Sequence, residues 1–473
     1  MAINFEALRL HRTAIWGFGR EGQAALKAVR SRYPEKRLAI ILTPDEASAW
    51  DFSDDPNLEL ITDEPSSGVL AQYGTVIKSP GISPYTQACD WARFRGTRLI
   101  SGSGLWFGEH TADRTICITG TKGKSTVSAL TAHLLRAAGQ VIGLVGNVGV
   151  PLLEVLDPEV NPDAWVIELS SYQTHDFFGT PAIACVLNLF PEHLPWHGSE
   201  ARYYADKLRI LAGGKAEVTI LNGADKTLVK LAGEIERGFY YNVPEGWHVQ
   251  DGFVRYQTQN VLDLKDVRLP GRHNAENICA ALTIVQAYGL DSASLAKEVT
   301  QFHPLPHRLQ QLGVRGGMEF IDDSIATTPH ATVAALEALS ERTVSVLVGG
   351  FDRGLEWDCF VDRMQARPNT AIIASGANAD RIEAALSRRL RLLPVQADAK
   401  AVPGSVYFSK VDSLELATLL AMKITPRNGV VLLSPGAPSF DTFANYAERG
   451  RAFARYAGFG ELSNHEIDGL GIR

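Results

Sequence analysis

The segment 119–126 reads TGTKGKST and follows a short apolar run, TICIT. A strand that ends in such a loop, with a helix opening beyond it, is an arrangement for holding phosphate. Gly120 and Gly123 allow the N–H groups of Gly120, Thr121, Lys122 and Gly123 to point inward. Lys124 would reach the β- and γ-phosphates, and Ser125, with Thr126 behind it, would hold Mg²⁺. Ile118 stands where the strict GxxxxGK[ST] pattern has its first glycine. The competing reading is a glycine-rich turn that binds nothing.

A second cluster lies downstream. Glu168 ends the run AWVIE and is followed by LSSYQ. A carboxylate at a strand end beside a phosphate loop is placed to hold Mg²⁺, directly or through water. His193 lies in NLFPEHLPWHG, again after a strand-like run, and Lys207 lies in YYADKLRIL. Taken singly, such a histidine is more often a packing or hydrogen-bonding residue, and such a lysine a solvated one. GFGREG near the start has Gly17, Gly19 and Gly22 in GxGxxG spacing, after a strand and opening a helix. Its N–H groups could take a nicotinamide dinucleotide, another diphosphate, or nothing beyond a tight strand–helix turn. A dinucleotide site also wants an acidic residue at the end of the second strand, where Asp45 sits awkwardly after Pro44.

These motifs need strands to carry them. Apolar runs at 13–16, 37–42 and 74–77 alternate with a helical pattern, QAALKAVRSR, and predict a parallel α/β sheet in a first domain over 1–110. A second α/β unit over 111–305 carries strands at 115–119, 164–168, 183–188 and 217–221. Its helix STVSALTAHLLRAAG closes at Gly139. Between about 240 and 269 the pattern becomes short and β-like, as in a small antiparallel excursion. HPLPHR looks like a linker. Strands at 318–322, 343–348, 370–374 and 429–433 then predict a third α/β domain over 306–473.

The 473 residues suit several such domains. Lys and Arg total 46 and Asp and Glu 53, giving a formal charge of −7. That balance argues against nucleic-acid or anionic-membrane surfaces as partners. No run of 18 apolar residues is present, so no membrane helix is expected. No signal-peptide pattern opens the chain, which points to the cytoplasm. The 5 cysteines are scattered, with no CxxC, so a zinc motif or disulfide framework is not expected.

The motifs TGTKGKST, IELSSYQ, NLFPEH, YYADKLRI, GRHNAEN, LPHR, DDSIATTP, GGFDRG and SPGAPSFDTFANYAERG occur in one order. That order resembles the Mur ligases of peptidoglycan synthesis, and most closely their glutamate-adding MurD branch. GFGREG and KSPGISP extend the likeness over nearly the whole chain. The resemblance implies a three-domain α/β protein: a Rossmann-like N-terminal domain, a central P-loop ATPase-type domain and a Rossmann-like C-terminal domain. It implies an ATP-dependent ligase that joins UDP-N-acetylmuramoyl-L-alanine to glutamate through an acyl phosphate, acting as a monomer.

Carried over residue by residue, the resemblance gives Ser125 and Glu168 one Mg²⁺. His193 and a carbamylated Lys207 would take a second. Asn274, Asn277, Arg308 and Asp323 would serve ATP. The UDP substrate would meet Gly19, Arg20, Glu21, Gly22, Thr43, Ser79, Gly81, Asn147, Ser170 and Gln173. Glutamate would meet Thr327, Arg353, Ser439 and Tyr446. The chain also departs from the branch. Ile325 replaces a pocket lysine, Tyr446 a phenylalanine, and FPEHLPWHG an acidic run, while the uracil-reading aspartate is absent or displaced to Asp45. Relocated pocket charge suggests L-glutamate as acceptor rather than D-glutamate. The competing readings are a related ligase, such as folylpolyglutamate synthase, and an oxidoreductase suggested by GFGREG.

Overall fold

The computed structural model describes residues 4–44, 47, 52, 54–62, 65–147, 150–212 (without the side chain of 212), 216–269, 271–303, 306–367, 370–397, 402, 404–460 and 470–473. Asp45 lies outside the described residues. The chain forms two compact units. The larger comprises the chain up to Val267, His273–Phe302 and the short C-terminal strand Gly471–Ile472; the smaller comprises Arg268–Arg272 and the chain from His303.

The larger unit contains a five-stranded parallel sheet in the order Leu58–Ile61, Leu38–Ile41, Thr13–Trp16, Thr75–Lys78, Arg98–Ile100. Chain order reverses direction on either side of Thr13–Trp16, which creates a crevice at the carboxyl ends of that strand and Thr75–Lys78. GFGREG follows the first of these strands and SPG the second. Gly17 has φ +84°, and a Cβ at Gly22 would collide with the Gly17 carbonyl oxygen. Two of the glycines are therefore demanded by the turn itself. Gly19 is different: a Cβ there would meet open space.

The second sheet of this unit has seven strands. Val218–Asn222, Ile183–Val186, Thr115–Thr119, Ala164–Glu168 and Ile142–Gly146 run parallel, flanked by Gly238–Tyr241 and, antiparallel, Gly471–Ile472. Thr115–Thr119 and Ala164–Glu168 are buried along their whole length, as strands covered on both faces must be. Helix Lys124–Ala137 packs against them, with buried residues on nearly every side. It ends two residues before Gly139, whose φ is +83°, the left-handed stop that glycine makes cheaply. The excursion after residue 240 is a three-stranded antiparallel sheet, Trp247–Gln250, Phe253–Tyr256 and Gln259–Asp263.

The smaller unit is a seven-stranded sheet. Met318–Asp322, Val430–Leu433, Val344–Val348, Ala371–Ala374, Ser405–Lys410 and Arg391–Pro394 are parallel, and Gln310–Arg315 pairs antiparallel at one edge. The motifs DDSIAT, SPGAPS and GGFDRG follow the three adjacent strands Met318–Asp322, Val430–Leu433 and Val344–Val348. The edge strands Leu58–Ile61, Arg98–Ile100 and Arg391–Pro394 escape a reading of apolar runs, because they carry exposed or half-exposed residues.

The turn geometry makes a clear expectation. Gly22→Ala should lose about 1–3 kcal/mol of folding stability, the ordinary cost of overpacking, whereas Gly19→Ala should stay within about 0.5 kcal/mol. Urea midpoints of the two variants against the parent check both.

Candidate active site

In the larger unit, three neighbouring strands deliver the predicted phosphate and metal residues together. The phosphate loop follows Thr115–Thr119, Glu168 ends the strand on one side, and Asn188 follows Ile183–Val186 on the other. Asn188 fastens the loop: Lys122 N donates to its Oδ1 at 2.8 Å, and its Nδ2 donates to Lys122 O at 3.0 Å. Thr121 Oγ1 donates to Phe190 O at 3.0 Å and lies 2.8 Å from the Tyr203 hydroxyl. Gly120 and Gly123 have φ of +155° and +86°. A Cβ at Gly123 would collide with Asn277 Oδ1, so Asn277 lies against the loop, with its Nδ2 donating to Asn274 Oδ1 at 3.2 Å. Both predicted asparagines thus meet at the loop.

The charges here are dense. Lys124 Nζ donates to the carbonyls of Gly120 and Thr121 at 3.1 and 3.0 Å. Lys207 is 1% exposed, and its Nζ donates to Gly120 O at 2.7 Å. Burial, reinforced by Lys124, holds its pKa well below the usual lysine range. Lys122 Nζ pairs with Glu192 Oε1 at 2.5 Å. His193 adopts a left-handed backbone, φ +58° and ψ +31°, an uncommon conformation that functional sites retain. Burial and the surrounding lysines push its pKa down to about 4 against the pull of Glu192, so the imidazole is neutral at pH 7. Neutral imidazole is the ligand form.

Glu168 gives the clearest sign of a cation. It is 1% exposed, its Oε1 accepts from Asn147 Nδ2 at 3.1 Å, and its Oε2 is buried with no hydrogen-bond partner. A buried carboxylate oxygen left unsatisfied is costly, and a hard oxygen-seeking ion such as Mg²⁺ would satisfy it. Among the described residues no three His, Cys, Asp or Glu side chains gather as a metal cluster. An ion held by Glu168 would draw its remaining oxygens from Ser125, phosphate or water.

Some of the predicted UDP-side residues meet within this unit, Ser170, Gln173 and Glu21 in one group and Ser79 with the first glycine turn in another. Gln173 Oε1 accepts from Ser170 N and Ser170 Oγ, both at 3.0 Å, and Gln173 Nε2 reaches Glu21 Oε1 at 3.4 Å. Ser79 Oγ donates to Gly17 O at 3.1 Å, tying the two crevice turns together. A Cβ at Gly81, as at Gly19, would meet nothing within 4 Å. Neither packing nor backbone strain demands glycine at these two places. Arg20 sits at the start of helix Arg20–Arg32, and Thr43 follows strand Leu38–Ile41.

The smaller unit gathers Arg308 and Asp323. His307 and Leu309 flank Arg308, with φ of +61° and +45°. His307 Nδ1 lies 2.6 Å from Asp322 Oδ2, and Leu309 N donates to Asp323 Oδ1 at 3.2 Å. Successive aspartates therefore clamp the strained turn at His307–Leu309. Asp323 is buried, accepts from Ser434 Oγ at 2.8 Å, and has its pKa raised by that burial to about 7. Of the glutamate set, Arg353 is exposed in a cleft lined by Phe351, Trp357, Asn378, Ala437 and Pro438. Ser439 is buried and Tyr446 partly exposed. The main-chain oxygen of Tyr446 accepts from Ser324 Oγ at 2.7 Å, within the segment that leads to the half-buried Ile325 and Thr327.

Residues 118–285 match the Mur ligase middle domain. The UDP-N-acetylmuramoyl-L-alanine–L-glutamate ligase of Xanthomonas axonopodis pv. citri is 46% identical over 468 residues, covering 97% of each chain. The chain belongs to the Mur ligase family. It is an ATP-dependent amide ligase. The Xylella fastidiosa Temecula1 protein of the same name is 44% identical, over 99% of this chain and 100% of its own. Among solved structures, the Thermotoga maritima MurF ligase in complex with ADP matches with a TM-score of 0.56 at 16% identity, over 94% of this chain and 93% of that one. That likeness confirms the α/β fold expected of a Mur ligase.

Sequence reading passed over three residues of this Mur ligase site. Asn188 and Glu192 lie inside the quoted motif NLFPEH, and only its histidine had an evident chemical use. Lys78, directly before Ser79, is 1% exposed and donates to Ser79 O and Ile82 O at 3.1 and 2.7 Å. A lysine beside a turn carries no sequence signal for burial.

Glu21 gives a pH dependence. Burial raises its pKa from 4.5 to about 7. The folded state thus holds this proton more tightly than the unfolded chain. Stability falls as pH rises from about 4.5 through 7 and stays reduced above it. Glu21→Gln should remove that loss, gaining about 2–3 kcal/mol at pH 8.5 relative to the parent and little at pH 4. Urea midpoints at the two pH values give the comparison.

Proposed function

We propose that this Mur ligase adds glutamate to UDP-N-acetylmuramoyl-L-alanine, and that the acceptor is L-glutamate. The observation that carries the reading is the unsatisfied Glu168 oxygen beside a phosphate loop ringed by Lys122, Lys124 and Lys207. The relatives' printed names, at 44–46% identity over nearly full length, supply the substrates. The reading divides the chain at 1–110 for the UDP-sugar, 111–305 for ATP and 306–473 for glutamate. It takes the enzyme as a cytoplasmic monomer. Among the described residues no helix is long and apolar enough to cross a membrane.

A carboxylate is a poor electrophile. In the proposed reaction a carboxylate oxygen of the alanyl group attacks the γ-phosphorus of ATP, and ADP leaves. The glutamate amine then attacks the acyl carbon and loses its proton. The tetrahedral intermediate collapses with cleavage of the C–O bond, and inorganic phosphate departs with its oxygen. Crowded anions must be neutralised by donors fixed in advance. Gly120, Thr121, Lys122, Gly123, Lys124 and Thr126 do this for the phosphates, with Asn274, Asn277, Arg308 and Asp323 on the nucleotide. Bound Mg²⁺ supplies charge neutralisation at the transferring phosphoryl group; Ser125 and Glu168 would hold one ion, His193 and Lys207 a second. An ammonium cannot ligate a cation. Lys207 fits that role only as a carbamate, formed when its neutral amine adds carbon dioxide, and its depressed pKa favours the neutral amine.

Gly19, Arg20, Glu21, Gly22, Thr43, Ser79 and Gly81 receive the UDP group in this reading, with Asn147, Ser170 and Gln173 along the muramoyl-alanine path. The open space beside Gly19 and Gly81 supports a close backbone approach there. Arg353, Thr327, Ser439 and Tyr446 take the two carboxylates of glutamate. Ile325 removes one cation from that pocket, and Arg353 supplies an exposed one elsewhere. Moving the charge suits an acceptor whose substituents at the α-carbon point differently.

The decisive measurement is ATP-dependent phosphate release with UDP-N-acetylmuramoyl-L-alanine and each glutamate enantiomer. L-Glutamate should be preferred by at least about tenfold in kcat/KM, a difference of about 1.4 kcal/mol. Preference for D-glutamate would refute the stereochemistry, and release with neither would refute the substrate assignment. Lys207→Ala should lose at least about 10²-fold in kcat, the scale of removing one electrostatic donor, with partial recovery in added acetate.

A further inference from the structure

The segment PWHG stands where the glutamate-adding branch usually carries charge, and nothing above gives Trp196 or His197 a task. Both are buried, His197 fully. The Trp196 indole N–H donates to Pro80 O and Gly81 O, each at 3.1 Å. Its own carbonyl accepts from Ser83 Oγ at 2.6 Å. His197 Nδ1 lies 2.7 Å from Asp206 Oδ2, and its Nε2 lies 3.1 Å from Ser171 Oγ. Asp206 Oδ1 accepts from the Tyr85 hydroxyl at 2.6 Å. Asp206 directly precedes Lys207 in helix Glu200–Ala212. The turn 79–85 is therefore held at its glycine by Trp196 and at its far end by the helix that carries Lys207.

We infer that Trp196 and His197 are positioning residues that clasp the Ser79–Gly81 turn to the catalytic lysine's helix, fixing the turn for the UDP-precursor. The inference rests on the reading above that Ser79 and Gly81 bind that precursor. The indole holds the carbonyls of Pro80 and Gly81, while a Cβ at Gly81 would meet open space. A turn left loose would have to be ordered by the ligand at the expense of affinity. The clasp also places the precursor turn and the Lys207 helix in one hydrogen-bonded chain through Tyr85, Asp206 and His197. A Ser–His–Asp chain is also the pattern of a nucleophile. This one is enclosed, with Ser171 3% and His197 0% exposed, and reaches no substrate.

The test uses the full chain, with calorimetric titration of UDP-N-acetylmuramoyl-L-alanine and steady-state kinetics. Trp196→Phe keeps an aromatic ring and deletes the donor. It should raise the precursor's Kd and KM about fivefold to tenfold, the scale of losing one or two net hydrogen bonds, with the KM for ATP unchanged within about twofold. Tyr85→Phe, which cuts the other tie with a smaller change, should move the same constants in the same direction. Unchanged precursor binding in both variants would overturn the inference alone. Equal weakening of ATP and precursor would overturn it as well, marking the segment as packing. Absence of precursor binding by the unaltered protein would instead overturn the substrate reading, and the inference with it.

Discussion

A buried lysine beneath a phosphate loop organises this protein. Lys207 donates to the Gly120 carbonyl at 2.7 Å while almost wholly excluded from water. A lysine there resists its charge, and two further lysines raise the resistance. Glu192 and Glu168 are the compensating groups named by the same electrostatics. Glu192 is engaged with Lys122. Glu168 retains an oxygen with nothing to accept from. The loop, the flanking strands and helix Glu200–Ala212 all have to be in place for this set of charges to coexist. The arrangement concentrates charge of both signs in a place largely shut off from water, where each charge is costly unless it is offset.

The net charge of −7 is compatible with this. Long-range repulsion of anionic substrates is screened over about 8–10 Å at ordinary ionic strength. Inside the site, the local cations and the N–H groups of a glycine loop dominate. Composition argues against broad anionic surfaces as partners; it says little about a pocket that takes small phosphates.

The motifs were legible because each needs a special backbone. Glycines at 17, 22, 120 and 123 carry a sequence signal, and the structure supplies its cause in positive φ or in a collision with Gly17 O or Asn277. Most of the parallel strands that hold the motifs were legible for the same reason that they are buried: they read as continuous apolar runs; the buried strand Ile142–Gly146, which leads into Asn147, was missed. Edge strands such as Leu58–Ile61 were not, since half their surface meets water. The small antiparallel sheet showed itself through turn residues. Side chains that act by burial escaped notice. Lys78, Asn188 and Glu192 have ordinary neighbours in sequence and extraordinary ones in space.

The segment FPEHLPWHG shows how a departure from a family pattern becomes intelligible. By charge alone it is a loss beside the histidine proposed to bind metal. In space, its acidic residue survives as Glu192, and its aromatic and imidazole groups face the other way, toward the turn 79–85 and Asp206. Tyr85, Tyr172 and His175 surround the Trp196 ring, with centroids 4.7 to 5.7 Å away, and Lys78 Nζ lies 5.5 Å from its centre. Such a cluster holds its segment through many weak contacts. His193, with its left-handed backbone, begins the short helix that carries Trp196.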